Sequence, residues 1–278
     1  MSGTKKVLIT VMTYPTISKK YDELVCTAGV QQDGSWIRIY PLPYRRLGSK
    51  HQFKKYQWIE LPLKKNPNDR RPESYSVTDM EKIKLLNKLD TINSLSELQT
   101  IIFNKNQPIF TNLKELISQA NKNERSFAVF KPKIIDFKWK KADREWPKDK
   151  LDLLKKKAQQ LSLFQTAEEI EKEFLITPKL PYEFKYKFKD DEGNVSNLMI
   201  EDWELGELFW DCQKKMHNEE RWQKEQRALA EVESEYHYKL MEKNYYFFLG
   251  TLKIFQGWAK NPFVIIGVFP PPINRYSD

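Results

Sequence analysis

The chain has 278 residues, 40% hydrophobic and 31% charged, which is enough apolar material for a real core and excludes a disordered chain. Its two cysteines, Cys26 and Cys212, cannot form a disulfide framework or a four-ligand zinc site. The formal charge of +9 is uneven: residues 1–78 hold 9 Lys and 5 Arg against 3 Asp and 3 Glu, a net of +8, and the rest carries +1. A concentrated excess implies a local positive field and a polyanionic partner, with a solvated lysine surface as the plain alternative.

In chain order, residues 5–14 (KKVLITVMTY) read as a buried strand closed by Pro15. Residues 23–30 read as a second strand, and Asp33-Gly34 signals a hairpin. Residues 35–40 (SWIRIY) alternate, with Trp36, Arg38 and Tyr40 on one face and Ile37 and Ile39 on the other. Residues 44–55 read as a basic loop or short helix, and 56–63 as a strand that Pro62 marks as an edge. Residues 64–78 read as a connecting loop. Three segments within 79–120 show helical spacing, with Ser94, Ser96 and Thr111 as candidate caps.

Strand character returns at 125–139, and 148–174 read as a charged helix. Residues 179–200 read as a hairpin around 191–193, and 201–243 as one or two helices. Residues 245–255 and 262–269 read as two paired, buried strands. This order predicts an α+β protein of two small β modules with helical insertions. The predicted units are a basic β module at 1–78, a helical insertion at 79–124, and a second β module at 125–278.

The N-terminal residues Cys26, Ala28, Gly29, Gly34, Trp36, Ile37, Arg38 and Pro41 fall in the order of a Cys-x-Ala-Gly segment followed by a Gly-x-Trp-Ile-Arg strand and a proline. That pattern resembles the dual-OB family of prokaryotic proteins, over about 40 residues. The resemblance implies OB-like modules and a nucleic-acid-binding or sensing role, in systems tied to mobile elements and phage defence.

The candidate nucleic-acid-binding residues are Trp36, Arg38, Tyr40, Tyr44, Arg45, Arg46, Lys50, Lys54 and Lys55, extended by Arg70 and Arg71. Cations would meet phosphates and flat aromatics would stack on unpaired bases. Core packing is the competing reading of Trp36, and a solvated loop that of the cations. Lys138, Lys140, Lys141 and Arg144, interleaved with Trp139 and Trp146, form a second basic stretch diluted by Asp136, Asp143 and Glu145. Glu201-Asp202-Trp203-Glu204 reads as a helix cap rather than a metal cluster.

No phosphate-binding glycine loop or nucleophile elbow occurs, and no metal, cofactor or catalytic residue is expected. The expectation is a non-enzymatic, cytoplasmic nucleic-acid-binding protein, for DNA or RNA, with no membrane partner. Two alternatives stay open. One is an enzyme acting on nucleic acid or nucleotides. The other is an interaction subunit docking through 201–243, where Met216, Trp222, Leu229, Val232, Tyr236 and Leu240 could form a seam.

Overall fold

The computed structural model describes residues 2–18, 22–105, 107–161, 176–241 and 243–271. The first apolar run forms β1 (Ser2–Met12). A short hairpin follows, β2 (Thr16–Ser18) and β3 (Asp22–Leu24), and splits the expected second strand, which starts only at β4 (Thr27–Gln31). Gly34, at φ 84°, turns the chain into β5 (Trp36–Ile39). Gly29 is required for a different reason: a Cβ there would lie 2.2 Å from the Leu8 carbonyl oxygen of β1.

Two short turns of 3-10 helix, Tyr44–Arg46 and Ser49–His51, lead to β6 (Gln57–Lys65). The expected loop 64–78 contains β7 (Ser74–Val77). Strands β1, β4, β5, β7 and β6 close a five-stranded barrel in that cyclic order, because β6 returns to β1. β5 and β7 run parallel, and the other pairs are antiparallel. Inside sit Val7, Ile9, Ile37, Ile39, Ile59, Leu61 and Leu63.

Residues 79–90 depart from the helical expectation. Asp79 caps a 3-10 turn, and the chain then forms β8 (Lys84–Lys88), which pairs with β6. Pairing to an open strand edge outweighs the helical spacing of five residues. β6 is therefore not an edge. One side meets β1, and the other is shared by β8 at Gln57–Glu60 and β7 at Leu63–Lys65. Pro62 falls in the gap between those two partners, where its missing N–H breaks no ladder, and its carbonyl accepts from the Thr78 amide at 3.0 Å.

Two helices follow, α1 (Leu95–Ile102) and α2 (Leu113–Asn121), with the short β9 (Ile109–Phe110) between them. Asn112, not Thr111, caps α2. The Thr111 hydroxyl bonds Asp191 instead.

The second module opens with β10 (Phe127–Phe130) and β11 (Lys133–Lys141), one run broken at Lys131-Pro132. After α3 (Lys148–Leu161) come β12 (Tyr182–Lys189) and β13 (Val195–Met199), the expected hairpin. The remainder of the predicted 148–174 helix, from 162, lies outside the described residues. Helices α4 (Trp203–Lys214) and α5 (Arg221–Glu233) come next, separated by a turn and by the Glu220–Gln223 capping box. A turn of π-helix, Ser234–Tyr238, continues α5. The chain then forms β14 (Tyr246–Thr251) and β15 (Phe263–Phe269).

β11 pairs β12, β12 pairs β13, Ile200 bridges Ile265 of β15 in parallel, and β15, β14 and β10 complete the ring. The cyclic order of the first barrel is thus repeated.

The modules share a core. The outer face of β1, β4 and β5 (Leu8, Val11, Ala28, Val30 and Trp36) packs on Phe127, Val129, Phe248, Val264 and Ile266. The opposite faces of β10, β14 and β15 pack on β12 and on helices α4 and α5. Strands buried on both faces explain the unbroken apolar runs YYFFLG and PFVIIGVF.

Candidate functional site

The structure separates the expected nucleic-acid-binding residues into three groups. The first lies in the seam between modules. Trp36 is 6% exposed, its ring centroid 5.6 Å from those of both Phe127 and Phe248. Arg38 is 2% exposed and lies 3.9 Å above the Phe127 ring. Its guanidinium donates to Cys26 Sγ at 3.1 Å and to Ser126 Oγ at 3.2 Å. Burial, and the charge of nearby Arg71, push its pKa down. Arg71 forms a bidentate pair with Asp69 and donates to the Thr251 carbonyl of β14 at 2.6 Å. Burial opposes ionisation of Asp69, but the Arg71 guanidinium and the Ser74 hydroxyl hold it down at about 2. None of these side chains offers a face to a ligand. The alternation of 35–40 was readable from sequence, but the covering of its outer face by a second sheet is a long-range fact with no local signal.

The second group is engaged in surface contacts. Tyr40 is half-buried, and its carbonyl accepts from Asn66 Nδ2 at 2.9 Å. The Tyr44 hydroxyl donates to the Phe53 carbonyl, and its ring packs on Phe53 and Trp203. Arg45 pairs with Glu23 at 2.8 Å and bonds Thr177. Lys55 is nearly buried against Glu204 at 2.5 Å. Burial alone would lower its pKa, but Tyr56, Glu204 and Asp202 together raise it well above the ordinary lysine value.

The third group faces solvent: Arg46, Lys50, Lys54 and Arg70. The sequence reading missed its partners, Lys82, Lys84 and Lys88, because it placed them on a helix. Three contacts bring β8 beside the loop. His51 Nδ1 meets the Ile83 carbonyl at 2.8 Å, Gln57 Nε2 donates to the Leu86 carbonyl at 3.0 Å, and Gln57 lies opposite Lys88. Lys50, Lys54, Lys84 and Lys88 thereby share one edge of the barrel, with Glu81 pairing Lys50 at 3.5 Å.

The second basic stretch is largely neutralised. Lys138 pairs with Asp136, Lys140 with Glu183, and Arg144 with Glu225. The Arg144 hydrogen bond is the main cause that takes Glu225 down to about 2. The seam expected along 212–243 mostly faces its own sheet: Leu229, Val232 and Leu240 are buried, while Trp222 is 65% exposed.

Asp202 caps α4 as expected, accepting from the Glu204 amide at 3.0 Å. It is also 3% exposed, and burial raises its pKa from the ordinary 3.8 to about 6 despite Lys55 nearby. A carboxyl with a raised native pKa holds its proton longer in the fold than in the unfolded chain, so its charge costs stability progressively as pH rises from about 4 to about 6. Asp202→Asn keeps a capping side chain and removes that titration. We expect wild type to lose stability relative to the variant over that interval, with a constant gap above it. Denaturant unfolding of both proteins at several pH values checks this, and parallel curves would refute it.

Among the described residues, no group of three or more His, Cys, Asp or Glu is placed to hold a metal ion, and no helix is long and apolar enough to cross a membrane. A family model described as Domain of unknown function (DUF8758) matches residues 3–104, and a second, Domain of unknown function (DUF8757), matches residues 110–278. The second covers more than half of the chain, which belongs to that family. No curated protein matches. A solved mouse structure, a DNA-binding protein bound with double-stranded DNA, is similar at 7% identity and a TM-score of 0.30, covering 96% of this chain and 94% of that one. A likeness of that size says nothing about what this chain binds.

Proposed function

We propose that this member of the DUF8757 family is a non-enzymatic nucleic-acid-binding protein whose lysines contact the phosphate backbone along the β6–β8 edge of the first barrel. One observation carries the reading. Among the residues of 2–78 whose side chains are described, seven exposed ones are Lys or Arg and one is Asp or Glu, and Lys82, Lys84 and Lys88 add to them on β8 and the turn before it. The excess seen in the sequence therefore survives folding, although Arg38 and Arg71 are buried and Lys55 is held against Glu204. Such a field attracts polyanions and predicts affinity that falls with salt.

The fold supports the same reading. Both modules follow the strand order of an OB-like barrel, which suits the dual-OB resemblance. An OB barrel usually presents its second and third strands and the loop between its fourth and fifth strands to oligonucleotides. Here β4 and β5 lie under the second module, and the loop 66–73 is pinned by Arg71 to Thr251. The proposed surface is accordingly the basic edge, and base stacking on Trp36 has no part in it. Purification without nuclease tests the class directly: co-purifying nucleic acid, released by high salt, is expected. A preparation free of nucleic acid, together with no binding of added oligonucleotide at low salt, would contradict it.

A further inference from the structure

Trp258, on the turn 252–262 between β14 and β15, is 71% exposed, and Ile254, four residues earlier, is 69% exposed. Apolar area left in water contributes nothing to the fold, and a patch of it that is held rigid is a candidate contact surface. Trp258 is held. Its indole Nε1 donates to the Ile254 carbonyl at 2.6 Å, and the ring meets the half-buried Phe255 edge-on, with centroids 5.7 Å apart. The turn itself is anchored: Gln256 Nε2 donates to the Ala120 carbonyl at 2.7 Å and to Asn123 Oδ1 at 3.2 Å, at the end of α2. The indole thus stands in one orientation with its N–H satisfied, and a ligand that stacks on it has little side-chain freedom to freeze.

The surroundings are basic. The turn carries Lys253 and Lys260, both exposed, and no acid. Asn123, which accepts from Gln256, also donates through Nδ2 to the Arg70 carbonyl at 2.7 Å. That bond sets the turn against the 66–73 loop of the first barrel and brings in Arg70 and Lys122, both exposed, with Glu124 as an exposed acid. The loop continues directly from β6, whose last two residues, Lys64 and Lys65, are exposed as well. The other end of β6, roughly 30 Å away, is the end that pairs with β8. Exposed cations therefore run from the basic edge to the turn that holds Trp258.

Nucleic acid matches both halves of this chemistry, with phosphates for the cations and flat bases for the indole face. A duplex keeps its base faces inside its own stack, so only an unpaired base can use the ring. We infer that Trp258 is a stacking platform for an unpaired base, and that the bound strand is single at that point. The inference rests on the nucleic-acid reading above and adds to it a contact that does not depend on charge.

Affinity of the full chain for a labelled oligothymidine, and for the same strand paired with its complement, tests it over a series of salt concentrations. Trp258→Ala should weaken binding of the single strand at least about fivefold, leave its salt slope unchanged and leave the duplex unaffected. Trp258→Phe, which keeps a flat ring, should retain most of the affinity. The two readings fail differently. Wild type that binds neither nucleic acid overturns both. Salt-dependent binding by wild type that Trp258→Ala matches overturns the stacking contact alone. So does an equal loss for the duplex, or a Trp258→Phe protein as weak as Trp258→Ala. A wild-type dimer in sedimentation that Trp258→Ala dissociates, with oligonucleotide affinity unchanged, would assign the turn to contact between copies of the chain instead.

Discussion

Arg71→Ala should cost about 3–5 kcal/mol of folding stability, a large share of the roughly 5–15 kcal/mol that holds a protein of this kind together. The reason is geometric. Asp69 has a side chain 1% exposed, and Arg71 is the cation that meets it, through Nε and Nη2. Removing Arg71 leaves a buried carboxylate with the Ser74 hydroxyl and the backbone amide of residue 71 as its remaining donors. It also deletes the bond to the Thr251 carbonyl, which ties the 66–73 loop of the first barrel to β14 of the second.

The double variant Asp69→Asn/Arg71→Met should recover much of the loss. Replacing both charges avoids stranding either one, whereas the penalty of the single variant is mostly that of an orphaned charge. Denaturant unfolding of the four proteins in the cycle measures the coupling. A cost under about 1 kcal/mol for Arg71→Ala would show that the pair is better hydrated than its burial implies.

The second large effect concerns binding. Replacing Lys50, Lys54, Lys84 and Lys88 by Glu should weaken affinity for a single-stranded oligonucleotide at least about 100-fold and lower the magnitude of the salt slope by about 3, near 0.7 for each phosphate no longer neutralised. The fold should tolerate the change. Lys50, Lys54, Lys84 and Lys88 are exposed, and the pair Lys50 forms with Glu81 is a surface one. Arg45 and Lys55 are left alone because they hold Glu23 and Glu204. Changing them would confound weaker binding with damage to the fold.

The sequence displayed whatever depends on neighbours along the chain. Asp33-Gly34 announced its hairpin, 191–193 announced another, and SWIRIY showed which residues share a face. Asp202 was legible as a cap because capping is a matter of three residues. What escaped was set by partners distant in sequence. Residues 74–77 carry too few residues to announce a strand, yet they close the first barrel between β5 and β6. Residues 84–88 have helical spacing, but an open edge of β6 recruits them.

Trp36 and Arg38 illustrate the same limit at the candidate site. An outward-facing Trp–Arg pair on a basic strand has the same local pattern whether it meets a nucleobase or a second sheet. Phe127 and Ser126, about ninety residues later, decide the matter. The charge asymmetry was more robust, because a solvated lysine needs no partner to stay at the surface. It narrowed rather than disappearing: Arg38 and Arg71 left the surface, Lys50 and Lys54 stayed on it, and Lys84 and Lys88 joined them.

The central claim is that this edge carries the nucleic-acid contacts. The most direct measurement is the slope of log affinity against log salt for one labelled single strand, in wild type and in the fourfold Lys→Glu variant. The account predicts a clearly negative slope for wild type that flattens in the variant. Equal slopes in the two proteins, or binding by wild type that ignores salt, would contradict it.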